Sequence, residues 1–147
     1  MIDTTGIDEA ITSLYETVSG PAGAERDWEK ERNYQHPEAR LIRTSVDDEG
    51  RPAMNIMTLD GYVENTREFF HENDFYEVEV ARRLDVFGNV AHAWSTYEAR
   101  HQPNDQKPFM RGINSIQLFN DGERWRILHV LWDNEREGNP LPERNES

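Results

Sequence analysis

GINSIQLFNDGERWRILHVLWDNE, residues 112–135, reads as two long strands joined by a tight turn. Asn120, Asp121 and Gly122 at its centre tolerate the positive φ angles that antiparallel turns demand. Working towards the amino terminus, residues 109–119 complete the first of these strands and a proline-bounded loop, QPNDQKP, precedes it. Residues 75–87 and 90–101 form two more strands about a Gly88-Asn89 turn, and residues 125–133 are the last. Four long strands joined by short connections predict one large, curved antiparallel sheet.

The residues before the sheet follow helical periods. Leu59, Tyr62, Val63, Thr66, Phe69 and Phe70 mark a one-faced helix capped by Thr58. Before it, ARLIRTS alternates as a strand, VDDEGR turns and PAMNIM returns. A short helix over residues 25–34 carries Trp28 as its apolar anchor and stops at His36-Pro37. The first helix presents Ile7, Ile11, Leu14, Tyr15 and Val18 on one face, with Thr5 and Asp8 as a capping pair and Gly20-Pro21 as its end. The expected class is α+β: a cone-shaped, strongly bent antiparallel sheet wrapped around three helices. One domain covers residues 1–134, and the polar residues 135–147 form a frayed tail.

A chain of 147 residues is long enough for one core. Its 29 acidic and 16 basic residues give a net charge of -13, which repels phosphate backbones and anionic membranes. Neither nucleic acid nor membrane is therefore an expected partner. The absence of cysteine excludes disulfides, thiol nucleophiles and thiolate metal sites. MIDTTGIDEA has neither the basic start nor the apolar run of a signal peptide, so a cytoplasmic protein is expected. No HExxH or HxH spacing unites the histidines, and neither metal nor cofactor is expected.

Both faces of the long strands carry apolar residues. In the second, Val90, His92, Trp94, Thr96 and Glu98 oppose Ala91, Ala93, Ser95, Tyr97 and Ala99; in the last, Trp125, Ile127 and Leu131 oppose Leu128, Val130 and Trp132. Helices cover one face. The other is expected to pack on a second copy of the chain, giving a homodimer through the outer sheet face.

The order helix, short helix, hairpin, helix and four strands, with DWEKERNYQHPEARLI early and GERWRILHVLWDNE late, resembles the nuclear transport factor 2-like superfamily over residues 7–134. That resemblance implies a cone with a pocket at its open end, in a superfamily that includes ketosteroid isomerase, scytalone dehydratase, limonene epoxide hydrolase and polyketide cyclases. Tyr15 falls where ketosteroid isomerase has its oxyanion tyrosine, and Trp132 resembles an aromatic pocket wall. The family's base aspartate falls at Arg43 or Thr44, and its protonated aspartate at Ser115, so that isomerisation lacks its acids here. Scytalone dehydratase's tyrosine-aspartate pair has only residues 19–24 opposite it. Limonene epoxide hydrolase's set is incomplete, with Glu98 and Arg100 but Leu128, Val130 and Leu131 where its second acid belongs.

Within the expected pocket, His92, two residues from Trp94 and six from Glu98, is the best acid-base candidate, with Tyr15 as its companion. The competing reading makes His92 and Glu98 a structural pair on the sheet. Ser115 and Gln117 share a face with Arg111, and either Arg111 or Arg43 suits a ligand carboxylate, unless these arginines simply pair with nearby acids. Trp28, Trp94 and Trp132 are candidates for an aromatic lining or plain core. Two functions remain open: a pocket for a small hydrophobic or aromatic molecule, with metal-free, cofactor-free acid-base chemistry of lyase or isomerase type, or a non-catalytic interaction or ligand-carrier module.

Overall fold

Ile7, Ala10, Ile11, Leu14, Tyr15 and Val18 are all buried along one side of α1 (Thr5–Val18), as their spacing predicts. The computed structural model describes residues 4–143. After α1 come α2 (Trp28–Tyr34), β1 (Gln35–Val46), β2 (Pro52–Met57), α3 (Leu59–Glu72), β3 (Tyr76–Phe87), β4 (Val90–Arg100), β5 (Met110–Asn120) and β6 (Trp125–Asn134). The class is α+β, with three helices on a curved six-stranded sheet.

Local chemistry sets the helix ends. The Thr58 hydroxyl accepts from Gly61 N at 3.0 Å and caps α3, as expected. The Thr5–Asp8 capping pair does not form: Thr5 is already helical, and Asp8 pairs with Arg82 of β3. Helix α2 begins at Trp28 instead of 25, because the Asp27 carboxylate accepts from Lys30 N at 3.0 Å and fixes the first turn there. Arg26 holds the preceding loop through the carbonyls of Val18, Gly20 and Ala24.

The strand order is β2-β1-β6-β5-β4-β3. All pairs are antiparallel except β1 with β6, which is parallel. Crossing through α3, the chain starts β3 at the far edge and meanders back, so the fourth strand of the meander arrives beside β1 in the same direction.

Two bulges decide which side chains face the helices. Val80 is the extra residue between Glu79 and Ala81 opposite β4, and Leu128 the extra residue opposite β5. A bulge reverses the alternation beyond it, so β6 turns Trp125, Ile127, Val130 and Trp132 to one side. The expected split of Val130 and Trp132 from Trp125 and Ile127 is thereby corrected. On β4 the helix-facing side is Ala91, Ala93, Ser95, Tyr97 and Ala99, all buried. His92, Trp94, Thr96 and Glu98 therefore lie on the outer side, contrary to the concave placement expected for them. The reason is steric: the small Ala91 and Ala93 leave room for Ile7, Ala10 and Ile11 of α1 in the core, which a row of histidine and tryptophan would fill.

Beyond β6, residues 135–143 were expected to fray, yet they turn back on themselves. Arg136 and Asn139 form an isolated bridge, and Leu141 N donates to Glu135 Oε2 at 3.0 Å.

Gly112 of β5 sits directly beneath the Tyr97 hydroxyl, which donates to Asn134 Oδ1. A Cβ at 112 would overlap both that hydroxyl and the Asp133 carbonyl oxygen. Gly112→Ala is expected to destabilise the protein by about 1–3 kcal/mol, a cost typical of overpacking. Urea denaturation checks it, and an unchanged midpoint would show that Tyr97 has somewhere else to go.

Candidate functional site

A cavity of about 420 Å³ opens between α3, the end of α1 and the inner face of the sheet. Aromatic rings in two groups make much of its wall. Trp132 meets Tyr62 edge-on at 6.1 Å, and Phe69, Phe70, Phe75 and Phe109 follow with centroids 5.5–6.1 Å apart. Apart from tyrosines, the ionisable residues in the lining are Glu77 and Arg43.

Glu77 is on β3 opposite Ala99, facing inwards. Among the described residues its carboxylate has neither a hydrogen bond nor an ion pair. Burial pushes its pKa up from the ordinary 4.5 to about 8. The surrounding hydroxyls of Tyr15, Tyr62 and Tyr97 are held above the usual tyrosine range, by burial first and by the charge of Glu77 next for Tyr62 and Tyr97. At neutral pH Glu77 is thus largely a neutral acid among neutral phenols. Glu77 also lines a second opening, of about 470 Å³, between α1 and β3.

Arg43 is on β1, paired across the sheet with Trp132. Its guanidinium lies 5.6 Å from the Trp132 ring centroid, and Nη1 donates to Asn65 Oδ1 of α3 at 2.6 Å.

Tyr15 is 5 % exposed and its hydroxyl is spoken for. Asn114 Nδ2 donates to it at 3.0 Å, and its oxygen is 2.7 Å from Ser95 Oγ. The single Ser95 proton goes to Glu79 Oε2 at 2.5 Å, so Tyr15 must donate to Ser95. A proton committed in this way is not offered to the cavity.

The other expected site residues divide by face. Arg43 and Trp132 line the cavity. Trp28 stands behind its wall, against Tyr62 and Phe70. His92, Glu98, Trp94, Ser115, Gln117 and Arg111 are on the outer side of the sheet. There His92 Nε2 is 2.9 Å from Ser115 Oγ, while Glu98 pairs with Arg100 at 3.1 Å. Six residues along a strand are about 20 Å, so His92 and Glu98 do not meet. Arg111 is held in a two-pronged pair with Glu135 at 2.8–3.0 Å. The inward residue of β5 beside Tyr15 is Asn114, one position from the Ser115 expected there. Glu77, Tyr62, Tyr97 and Asn114 are the site residues that sequence reasoning missed. The Tyr15 position was the one signal pointing towards them.

Among the described residues no group of three or more His, Asp or Glu is placed to hold a metal ion. No helix among them is long and apolar enough to cross a membrane.

No protein-family model matches the chain, and no curated protein matches it. Solved structures do. A Nostoc punctiforme protein with a cystatin-like fold superposes with a TM-score of 0.67 at 10% identity, over 90% of this chain and 91% of that one. A nuclear transport factor 2-like protein of Cytophaga hutchinsonii gives 0.66 at 9% identity, over 92% and 100%. A candidate ketosteroid isomerase of Shewanella frigidimarina gives 0.58 at 12% identity, over 88% and 95%. The fold is nuclear transport factor 2-like.

Glu77 binds its proton more tightly in the folded chain than in the unfolded one. Between about pH 4.5 and about pH 8 the folded state therefore holds more protons, and stability falls as pH rises through that window. Glu31, pushed to about 7 by burial, adds to the same slope. Glu77→Gln is expected to match wild type near about pH 5 and to exceed it by about 1–3 kcal/mol near about pH 9. Thermal melts at the two pH values check this, and parallel wild-type and variant curves would refute it.

Proposed function

We propose that the chain binds a small, largely apolar molecule, hydrophobic or aromatic, in the cavity beneath α3, and that Glu77 exchanges a proton with it. The chemistry is cofactor-free acid-base catalysis of the isomerase, dehydratase or cyclase kind. One observation carries this reading: an inward-facing carboxyl without a partner in an aromatic-walled cavity. An acid whose proton affinity lies near neutrality can give and take a proton at little cost, which is what general acid-base catalysis needs. The wall supplies burial for an apolar body, and few polar groups orient it.

A second observation favours self-association. Met54, Ile56, Val90, Trp94, Phe119 and Leu131 are all exposed on the outer side of the sheet, spread over four strands. That face is too apolar to stand against water without cover, and its breadth fits a second copy placed across a two-fold axis. His92 and Ser115 then belong to the interface. The charges on this face are largely paired within the chain, as Glu98–Arg100 and Arg111–Glu135 are, so two copies can meet without a row of unpaired acids.

A thermal-shift screen of hydroxylated polycyclic and terpenoid compounds tests the cavity. Hits are expected to raise the Tm of wild type and Glu77→Gln but not of Trp132→Ala, and turnover of a hit is expected to disappear in Glu77→Gln. Protection that survives Trp132→Ala would place the ligand elsewhere; protection without turnover in wild type would leave a carrier. For the assembly, sedimentation equilibrium is expected to give twice the 17.2 kDa chain mass, and Trp94→Glu with Leu131→Glu to give the single-chain mass. A monomeric wild type would remove the dimer.

A further inference from the structure

Most arginines here are bound to carboxylates. Arg32, Arg51, Arg67, Arg82, Arg100, Arg111, Arg126 and Arg136 all have acidic partners, in a chain with 29 acidic residues. Arg26 and Arg40 spend their N–H groups on backbone carbonyls. Arg43 does neither. Among the described residues its one hydrogen-bond partner is the neutral Asn65 amide, and it lines the cavity. Five N–H donors in a fixed fork, with one engaged, leave an open edge suited to a planar anion. The Trp132 ring and Asn65 hold the guanidinium from two sides, so little side-chain freedom is lost when an anion docks.

The cavity's electrostatics run against those of the whole chain. The formal charge of the protein is -13, yet the lining has one basic group and one acid, and that acid is largely protonated at neutral pH. Screening confines the field of the outer carboxylates to about 8 Å at physiological salt, so the local charge inside decides. Arg43 and Glu77 stand on opposite walls of the bent sheet, four strand spacings apart. That is about 19 Å across the strands, and an offset of four residues adds about 13 Å along them, so the separation is about 23 Å in a flat sheet and the bend shortens it.

We propose that the ligand is an organic carboxylate with a flat apolar body, its carboxylate paired with Arg43, its rings against Trp132 and Tyr62, and its far end presented to Glu77. This rests on the cavity reading above and names the class of molecule. An amine is disfavoured, because the same guanidinium would repel it.

Calorimetric titration at neutral pH with 2-naphthoate, 2-naphthamide and 2-naphthylmethylamine separates the cases. Wild type is expected to bind the naphthoate about tenfold or more tighter than the amide, the margin of one charge-assisted pair. Arg43→Gln should abolish that margin while leaving the amide's affinity unchanged, and Arg43→Lys should keep part of it. Arg83→Gln removes the same charge from the outer face, where Arg83 lies 6.0 Å from the Trp94 ring, and should preserve the margin. Equal binding of acid and amide, tighter binding of the amine, or a margin that survives Arg43→Gln would overturn the carboxylate assignment while the cavity stands. If none of the three probes binds wild type, both the cavity reading and this inference fall.

Discussion

The packing of α1 into the bend of the sheet, against β3 and β6 and over the small residues of β4, governs the rest of the structure. Ala91 and Ala93 are 2 % exposed or less and share one core cluster with Ile7, Ile11, Ile116 and Ile127, while the fully buried Ala99 packs with Val18, Phe70 and Phe75. Small residues on the strand leave room that the helix's own side chains fill, which keeps the interior at native density. That packing ends where α1 does. Gly20 bridges to Phe75, and the cover passes to α3, which packs on β1 and β2 and shares a core cluster with Ala99 of β4 through Phe70. Between the end of one helix and the flank of the other lies the cavity, to whose lining the sheet contributes Tyr97, Asn114 and Glu77.

A polar chain fixes the register of this arrangement. From Asn114 it runs through Tyr15 and Ser95 to Glu79, whose carboxylate Arg82 clasps at 2.8–3.1 Å, and Arg82 continues to Asp8 of α1. It ties β5, α1, β4 and β3 together through groups that would each be costly to leave buried alone. A slip of β4 by one residue would carry Ser95 to the outer face and cut the link between Tyr15 and Glu79. The bulge at Val80 belongs to the same device, because it lets Glu79 and Arg82 both face inwards although three residues separate them.

Periodicity made the elements legible, while the bulges hid the faces. Strands over 75–87, 90–101, 109–119 and 125–133 differ from the observed ones by a residue at most at each end, since long alternating runs bounded by Gly88-Asn89 and Asn120-Asp121-Gly122 admit little else. His92 and Glu98 do share a face, as alternation requires, but alternation does not say which face meets the helices. Alanine told too little by its hydrophobicity and much by its size. The extra residue at Leu128 made β6 read as apolar on both sides. Glu77 was the least legible of all: in FYEVEVARR, Glu77 and Glu79 alternate with Tyr76, Val78 and Val80, a pattern that reads as acids in water and apolar residues within. The structure has the reverse, with Val78 exposed at 50 % and both glutamates turned under α1.

Two glutamates whose proton affinity desolvation raises show how function is separated from architecture here. Glu31 is 1 % exposed, yet Ser13 Oγ donates to it at 2.8 Å and Gln35 Nε2 at 2.7 Å, so α1, α2 and the start of β1 are joined through a carboxyl with partners on both oxygens. Burial raises its proton affinity, and the two donors pull it part of the way back. At Glu77 burial acts with nothing to oppose it. A glutamate serving only the fold would gain from a partner or give way to an apolar residue, because a desolvated carboxyl without hydrogen bonds destabilises the folded state. Its position resolves the difference: Glu31 is sealed between elements, whereas Glu77 opens onto a space large enough for a guest. The missing hydrogen bonds at Glu77 are those a ligand would supply, which makes its cost to the fold a measure of what binding can return.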